Sequence, residues 1–311
     1  MKILILGGSG FVGRHLARRL SRAGHAITVV TRHKPAARQL EIVPRLKLVQ
    51  FDPYDEQLLA AALDRHDALI NLIGILNERG SDGSGFYRAH VELVETAIAA
   101  CSQKGVRRFI QMSALNAGRG ESFYLKTRGQ AEQRVRESGL DWTIFRPSVI
   151  FGRDDSFLNR FSTLLKVSPL LPLARPDARL SPAFIDDVVE AFMRVLELRE
   201  NLSETYELCG AEVWKLKELV DWIAEQRKLK RVVIGLPDAL GRLQARIFDL
   251  VPGKPFSTDN FKSLQLDSVC TDNGFERLGI DPWGVSEKAP EWLDPNDRNV
   301  RYQRYRSART W

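Results

Sequence analysis

The first twenty residues change from an aliphatic run to an amphipathic one. Lys2–Leu6 are mostly aliphatic, which is typical of a parallel strand covered on both faces. From His15 to Arg22, Leu16 and Leu20 repeat at i and i+4 while arginines occupy the opposite side, which predicts a helix. The pattern therefore predicts a strand, a turn and a helix in that order.

Strand-like and helix-like segments keep alternating through the first half of the chain. Further strands are predicted at Ala26–Val30, Leu46–Phe51, Asp67–Asn71, Val106–Met112 and Trp142–Arg146. Helices are predicted at Asp55–Asp64, over about twenty residues through Cys101, and at Ser122–Glu137. This order predicts an α/β fold with a doubly wound parallel Rossmann sheet, which binds its ligands at the carboxyl ends of the strands.

Three glycines stand where the first strand must become a helix. Gly7, Gly10 and Gly13 allow a tight turn, leave room for a pyrophosphate, and open a helix whose free N–H groups attract anions. We therefore predict a dinucleotide site formed by these glycines with Phe11 and Val12. A purely structural turn is the alternative.

The ends of the next two strands bear on which dinucleotide is bound. Thr31 and Arg32 follow the second strand, which carries no acidic residue to bind an adenosine ribose. Because arginine pairs well with a 2′-phosphate, NADP(H) is preferred over NAD(H), unless Arg32 is only a surface cation. Asp52 follows the third strand and is predicted either to accept from the adenine amino group or to cap the helix at Asp55–Asp64.

After Gly152 the alternation loosens. We predict an NADP(H)-binding Rossmann domain at residues 1–152, to which a segment at about 180–208 returns. Residues 153–311 are predicted to form mostly a smaller α/β lobe for a substrate or partner, with a basic tail. In Pro237–Leu250, Leu240, Leu243, Ile247 and Phe248 form an apolar stripe beside arginines. That stripe could lie on a membrane or a partner, but packing against its own lobe is preferred.

Composition and charge narrow the possible partners. The 311 residues are 44% hydrophobic with a net charge of +7, which fits a globular protein with anionic partners. The tail contains five arginines among aromatic residues, Arg298, Arg301, Arg304, Arg306 and Arg309, yet no nucleic-acid module accompanies it, so a nucleic-acid partner is not expected. No apolar run is long enough to span a membrane.

The cysteines and the amino terminus indicate a location. Cys101, Cys209 and Cys270 lack the spacings of metal sites or disulfide frameworks, so no metal is expected and the thiols are predicted to be unpaired in a reducing compartment. The amino terminus does not resemble a secretory signal. We expect a cytoplasmic protein, either free or peripheral on the inner face of a membrane.

Several motifs carry a resemblance to a known family. In chain order they are "GGSGFVG", "NLIG", "SAL", the tyrosine of "SFYLKTRGQAE", and "FRPSVIFG". They resemble the short-chain dehydrogenase/reductase superfamily in its extended or atypical branch. "MSALNA", "YELCG" and especially "PFSTDNFKSLQLDSV" look like the nucleotide-binding accessory subunit of respiratory complex I and its bacterial relatives, over residues 1 to about 270.

The resemblance implies candidate catalytic residues. Its serine maps to Ser113 and its tyrosine to Tyr124, while the position four residues on, where the family has a lysine, is Arg128. Lys126, at i+2, points to a different helix face. Arginine can bind the cofactor ribose, but it cannot release a proton. The resemblance also implies cofactor contacts at Leu72, Ile73, Gly74, Pro147, Ser148 and Val149.

Three functions stay open. The first is an NADP(H)-binding accessory or regulatory protein of a quinone-linked respiratory or ubiquinone-related system, with weak or no turnover. The second is an NADPH-dependent reductase, epimerase or dehydratase acting on a quinone precursor or a sugar-nucleotide-like substrate. The third is a sensor of the NADP(H) redox ratio. Whether the chain is an enzyme is left undetermined.

Overall fold

The computed structural model describes residues 1–198 and 203–293, so the arginine-rich tail lies outside the described residues. The chain divides into two compact units. Among the described residues, unit 1 comprises 1–147, 185–198, 203–208 and 270–280, and unit 2 comprises 148–184, 209–269 and 281–293.

Unit 1 contains a parallel sheet of seven strands with helices on both faces. Its strands are β1 (Lys2–Leu6), β2 (Ala26–Thr31), β3 (Leu46–Gln50), β4 (Ala68–Asn71), β5 (Arg108–Met112), β6 (Asp141–Pro147) and β11 (Glu204–Leu208). Its helices are α1 (Phe11–Arg22), α2 (Glu56–Ala62), α3 (Ser84–Tyr87), α4 (Leu93–Lys104), α5 (Phe123–Glu137), α7 (Ile185–Glu197) and α11 (Gly274–Arg277). A 3₁₀ segment spans Lys34–Leu40 and a π-helical turn spans Arg88–Glu92.

The strand order is β11-β6-β5-β4-β1-β2-β3, which confirms the predicted doubly wound Rossmann sheet. Helix α1 packs against α7, whereas α2, α4 and α5 pack together. Alternation along β6 shows the two layers: Phe145 stacks on Phe192 of α7 at 4.5 Å between ring centroids, while Ile144 joins the core with α4 and α5. All strands being parallel, their carboxyl ends share one edge, where the predicted site lies.

The helix boundaries differ from prediction in two places. Helix α1 begins at Phe11, four residues before the predicted start, because the glycine turn leads directly into it. The predicted long helix is divided into α3, the π-helical turn and α4.

Unit 2 consists of short strands and helices. Its strands are β7 (Ile150–Phe151), β8 (Leu170–Ala174), β9 (Arg179–Leu180), β10 (Ala183–Phe184), β12 (Trp214–Lys215) and β13 (Val232–Leu236). Its helices are α6 (Phe157–Val167), α8 (Leu216–Gln226), α9 (Asp238–Asp249), α10 (Thr258–Ser263), α12 (Val285–Lys288) and α13 (Pro290–Leu293). These strands form two-stranded sheets: β7–β10 and β8–β13 are parallel, and β9–β12 is antiparallel.

The expectation of three unpaired thiols is wrong for two of them. Cys101 is free and buried, but Cys209 and Cys270 are disulfide-bonded. Neither lies in a short paired spacing, so nothing in the sequence indicates this bonded state. The cysteines therefore do not support a reducing compartment.

Candidate functional site

The glycine turn after β1 is packed too closely for any side chain at two of its positions. A Cβ at Gly13 would lie 2.4 Å from the main-chain oxygen of Gly7. Gly7 itself has a φ of +77°, and a Cβ there would lie 3.0 Å from the main chain of Leu72 and Ile73. The turn thus brings β1, α1 and the segment after β4 into direct contact.

The amino end of α1 is suited to an anion. Gly10 caps the helix without a side chain, and the first turn, which includes Phe11 and Val12, holds no acidic residue. A Cβ at Gly10 would meet only the Gly7 oxygen, at 3.2 Å, so the space above it is open. The N–H groups and dipole of this end fit a pyrophosphate.

The end of β2 is held by a side-chain turn. The buried hydroxyl of Thr31 accepts a hydrogen bond from the His33 main-chain N–H at 3.2 Å. Arg32 lies between these two residues and is exposed. Thr31 therefore fixes the backbone from which Arg32 projects.

The end of β3 is bordered by cations. Tyr54 donates from its hydroxyl to the Arg88 carbonyl at 3.1 Å, and the Arg88 guanidinium lies 4.7 Å from the ring centroid. Burial raises the pKa of Tyr54, and both Arg88 and Arg32 oppose that rise electrostatically. Asp52 is exposed at this strand end. The alternative role for Asp52 is wrong, because Asp55 caps α2 by accepting from Leu58 N–H at 2.9 Å.

The segment after β4 is held by buried amide side chains. Leu72 N–H donates to Leu6 O at 2.9 Å, and Ile73 N–H donates to the Asn71 side-chain oxygen at 3.1 Å. The Asn71 amide in turn donates to Gln111 at 3.0 Å. These bonds fix the backbone through Ile73 at the carboxyl edge of the sheet.

Arg128 fills the space beside this segment. Its Nη1 donates to the carbonyls of Met112 at 2.8 Å and Ile73 at 3.4 Å. A Cβ at Gly74 would fall 1.8 Å from Nη2 of Arg128, so the missing side chain of Gly74 is what admits the guanidinium. Arg128 thus bridges the ends of β4 and β5.

The hydroxyl of Ser113 is bonded to a buried carboxylate. Ser113 Oγ donates to Glu132 at 2.6 Å, and Glu132 is fully buried. Arg146 binds both oxygens of Glu132, at 2.9 and 2.6 Å, and Arg136 adds a contact at 2.8 Å. Two guanidinium groups compensate the buried charge, so Ser113 belongs to a satisfied polar network.

Tyr124 packs against a buried histidine and the Arg128 side chain. The Tyr124 ring centroid lies 5.5 Å from that of His90 and 5.4 Å from Arg128 Cζ. His90 Nε2 accepts from Ile75 N–H at 3.3 Å, so Nδ1 carries the proton and donates to Thr127 Oγ1 at 2.8 Å. Burial and the Arg128 charge lower the pKa of His90 to about 2, so it is neutral.

Pro147, Ser148 and Val149, at the end of β6 and directly after it, each make different hydrogen bonds. Pro147 ends β6 and accepts from Leu115 N–H at 3.0 Å. In unit 2, the Ser148 hydroxyl lies 2.9 Å from both the carbonyl and the hydroxyl oxygen of Ser268, and Val149 O accepts from Ala183 N–H at 2.9 Å. Their expected contacts with a cofactor stay a prediction.

Sequence reasoning missed the residues that organise this edge. Asn71, Gln111 and Glu132 lie in a strand or helix pattern that gives no sign of their hydrogen-bond partners. His90 is likewise unmarked in the sequence, and the structure places it in the buried layer. Its position in a π-helical turn is the one local signal, since such turns often occur at functional sites.

Neither a metal cluster nor a membrane span occurs in the described part of the chain. Across residues 1–198 and 203–293, no grouping of histidine, cysteine and carboxylate side chains could hold a metal ion. In the same ranges no helix is long and apolar enough to cross a bilayer.

Known proteins resemble this chain both in a cofactor-binding family model and over most of its length. Residues 7–159 match a family model described as NAD(P)H-binding. The chain is 28% identical over 308 residues to NADH dehydrogenase (ubiquinone) 1 alpha subcomplex subunit 9, mitochondrial, of Arabidopsis thaliana, covering 93% of this chain and 76% of that protein. It is 25% identical to the NADH-ubiquinone oxidoreductase 40 kDa subunit of Neurospora crassa, and this similarity covers 96% of this chain and 80% of that protein.

Solved structures share the fold at lower identity. A dTDP-glucose 4,6-dehydratase of Streptomyces venezuelae superimposes with a TM-score of 0.75 at 19% identity, covering 97% of this chain and 98% of that one. A UDP-glucose 4-epimerase of Thermotoga maritima superimposes with a TM-score of 0.74 at 16% sequence identity, covering 97% of this chain and 99% of that one. Fold, motifs and relatives together make the chain an NAD(P)-binding protein with a short-chain dehydrogenase/reductase-like Rossmann fold, similar over most of its length to subunits of NADH dehydrogenase.

Proposed function

We propose that this protein holds NADP(H) as an accessory or regulatory component of a quinone-linked respiratory system and turns the cofactor over weakly or not at all. Unit 1 supplies the cofactor site at the carboxyl edge of its sheet. The domain division at residue 152, with a segment near 180–208 returning, is part of this proposal.

One observation carries the proposal of weak turnover: both groups that would assist Tyr124 are bonded elsewhere. The Arg128 guanidinium donates to Met112 and Ile73, and the Ser113 hydroxyl donates to Glu132. An arginine cannot pass on a proton, and a serine bonded to a buried carboxylate is poorly placed to hold a substrate oxygen. This arrangement favours binding over proton transfer.

The preference for NADP(H) rests on charge at the adenosine end. No acidic residue follows β2 directly, and Arg32 projects from a turn that Thr31 fixes. Arg88, stacked on Tyr54, adds a second cation near the end of β3. A doubly charged 2′-phosphate fits such surroundings better than an uncharged ribose hydroxyl does.

The remaining cofactor contacts follow from the order of the strands. Gly7, Gly10, Phe11, Val12 and Gly13 would hold the pyrophosphate, and Asp52 would border the adenine. Leu72, Ile73, Gly74, Tyr124 and Arg128 would surround the nicotinamide ribose. Pro147, Ser148 and Val149 are assigned to the nicotinamide by family resemblance.

The respiratory assignment is supported by the relatives. The Arabidopsis and Neurospora proteins are named as subunits of NADH dehydrogenase or NADH-ubiquinone oxidoreductase, and each similarity covers more than nine-tenths of this chain. We assign this protein to an equivalent assembly, peripheral on the inner face of the membrane.

The alternative is an NADPH-dependent reductase, epimerase or dehydratase. The specific observation in its favour is Tyr124, which is retained at the start of α5 with its ring 5.4 Å from the Arg128 cation. A tyrosine at the position of the family's proton donor is what this alternative requires.

Binding and turnover measured on the same preparation distinguish the two. NADPH affinity is measured by calorimetry. NADPH oxidation is followed by the loss of NADPH absorbance with quinones and with sugar nucleotides, for the wild type, Tyr124→Phe and the control Tyr87→Phe. The proposal expects tight NADPH binding with no oxidation above the Tyr124→Phe background. Oxidation that needs both a substrate and Tyr124 would establish the alternative.

A further inference from the structure

Helix α9 in unit 2 has a well-defined inward face. Gly241 and Ala245 are buried, and a Cβ at Gly241 would lie 3.0 Å from the Phe261 ring and 3.1 Å from Ala174 Cβ. Two small residues one turn apart therefore seat α9 closely against β8 and α10. The orientation of the helix is fixed by this contact.

The apolar stripe of α9 faces away from this contact. Leu240, Leu243 and Ile247, at i, i+3 and i+7, are 51%, 52% and 53% exposed. The preferred interpretation, that the stripe packs against its own lobe, is therefore wrong for these three residues, because the small residues on the neighbouring face make that contact instead. Phe248, the fourth residue of the stripe, is half-buried. The other three form a row of large aliphatic side chains without cover.

The neighbouring strand pair extends this apolar surface. Val232 and Ile234 of β13 are 58% and 44% exposed and pair in register with Leu170 and Pro172 of β8. Gln244 of α9 donates to Pro172 O at 3.0 Å, which holds the helix beside the strands. We call the surface formed by Leu170, Val232, Ile234, Leu240, Leu243 and Ile247 the apolar face.

The acidic and the basic residues of α9 differ in their partners. Asp238 pairs with Arg175 at 2.9 Å, and Asp249 accepts from the N–H and hydroxyl of Thr258, so both carboxylates are engaged within unit 2. Arg242 and Arg246 are exposed and form no ion pair with any residue that the structure describes, and the Arg242 guanidinium lies 5.8 Å from the Phe261 ring centroid. On the helix these arginines border the stripe on the side opposite Gln244.

From this surface we infer that α9 and the β8–β13 pair dock on an anionic lipid bilayer. Aliphatic side chains in one stripe with arginines along its border are the pattern of a helix lying in the membrane interface. Leu240, Leu243 and Ile247 enter the acyl boundary, while Arg242 and Arg246 contact lipid phosphates. The net charge of +7 adds long-range attraction to such a surface.

Vesicle flotation tests this docking independently of the cofactor. The full chain is mixed with phosphatidylcholine vesicles and with vesicles containing about one-third phosphatidylglycerol. The variants are Leu243→Gln/Ile247→Gln and Arg242→Gln/Arg246→Gln. Ile42→Gln, at an 85% exposed isoleucine of unit 1, is the matched control. Since all these side chains are exposed, unfolding curves and NADPH binding should match the wild type.

The inference expects the wild type and Ile42→Gln to float with anionic vesicles, and the aliphatic pair of substitutions to weaken binding by at least about tenfold. Each lost arginine should weaken anionic binding about fivefold and leave the weaker neutral binding nearly unchanged. No flotation of the wild type, or equal flotation of all variants, overturns the inference. Conversion of a dimer to a monomer by Leu243→Gln/Ile247→Gln, without vesicle binding, would overturn it in favour of a second copy.

Discussion

Nη1 of Arg128 donates a 2.8 Å hydrogen bond to the main-chain carbonyl of Met112 at the end of β5. With the Ile73 carbonyl as a second acceptor, the guanidinium joins two strand ends that face the proposed cofactor. These bonds hold the guanidinium at the strand ends where the nicotinamide ribose is proposed to bind. The family resemblance implies a proton-relaying lysine at this position, and an arginine here can hold the ribose but cannot pass on a proton.

The close approach of Gly74 and Arg128 predicts a non-additive pair. Gly74→Ala places a methyl group 1.8 Å from Nη2 of Arg128, which should cost about 1–3 kcal/mol of unfolding free energy. In an Arg128→Ala background the same substitution should cost less than about 0.5 kcal/mol, because the clashing group is gone. Urea unfolding of the four proteins measures the cycle, and additive losses would contradict the contact.

Substitutions at two glycines of the turn should affect stability and NADPH binding differently. Gly13→Ala forces a Cβ to 2.4 Å from a main-chain oxygen, which should lower stability by about 2 kcal/mol or more and abolish NADPH binding. Gly10→Ala meets only one atom, at 3.2 Å, so stability should hold while NADPH affinity falls about tenfold, because the methyl group enters the pyrophosphate space. Thermal unfolding measures the stability of both variants, and calorimetry measures their NADPH affinity. Wild-type NADPH affinity in Gly10→Ala would contradict the proposed pyrophosphate position.

The charge at the end of β2 predicts cofactor choice. Arg32→Ala removes a phosphate partner and should weaken NADPH about tenfold or more, while NADH changes less than about threefold. Arg38→Ala, which removes a positive charge from the adjoining 3₁₀ segment, is the control. Equal weakening of both nucleotides by Arg32→Ala would show that Arg32 does not read the 2′-phosphate.

The buried His90 predicts a pH dependence of stability. Its pKa is lowered from 6.5 to about 2 in the folded chain, first by burial and then by Arg128. Below pH 6.5 the unfolded chain gains a proton that the folded chain does not, so stability falls as the pH falls, by about 2 kcal/mol at pH 5.

His90→Gln removes this titration while keeping an acceptor for Ile75 N–H. Urea unfolding at pH 7 and pH 5 should show a smaller acid loss in this variant than in the wild type. His33→Gln, at an exposed histidine, should retain the wild-type loss. An unchanged acid loss in His90→Gln would mean that His90 is protonated when folded.

The sequence predicted the elements better than the side-chain partners. Strand β1 begins and ends where the aliphatic run does, because burial on both faces leaves a signal at every position. Ser113 and Glu132 are nineteen residues apart, and nothing local reveals that the hydroxyl donates to that carboxylate. Likewise the stripe on α9 was visible, but Gly241 and Ala245 decided which face turned inward. Contacts between elements were therefore the part that only the structure supplied.

Sizing of gently solubilised membranes from the source cells, with immunodetection of this chain and assay of its bound nucleotide, tests the central claim most directly. The account predicts that the chain migrates with a large respiratory assembly and carries NADP(H). A free 35.3 kDa species or small oligomer without bound nucleotide would contradict it.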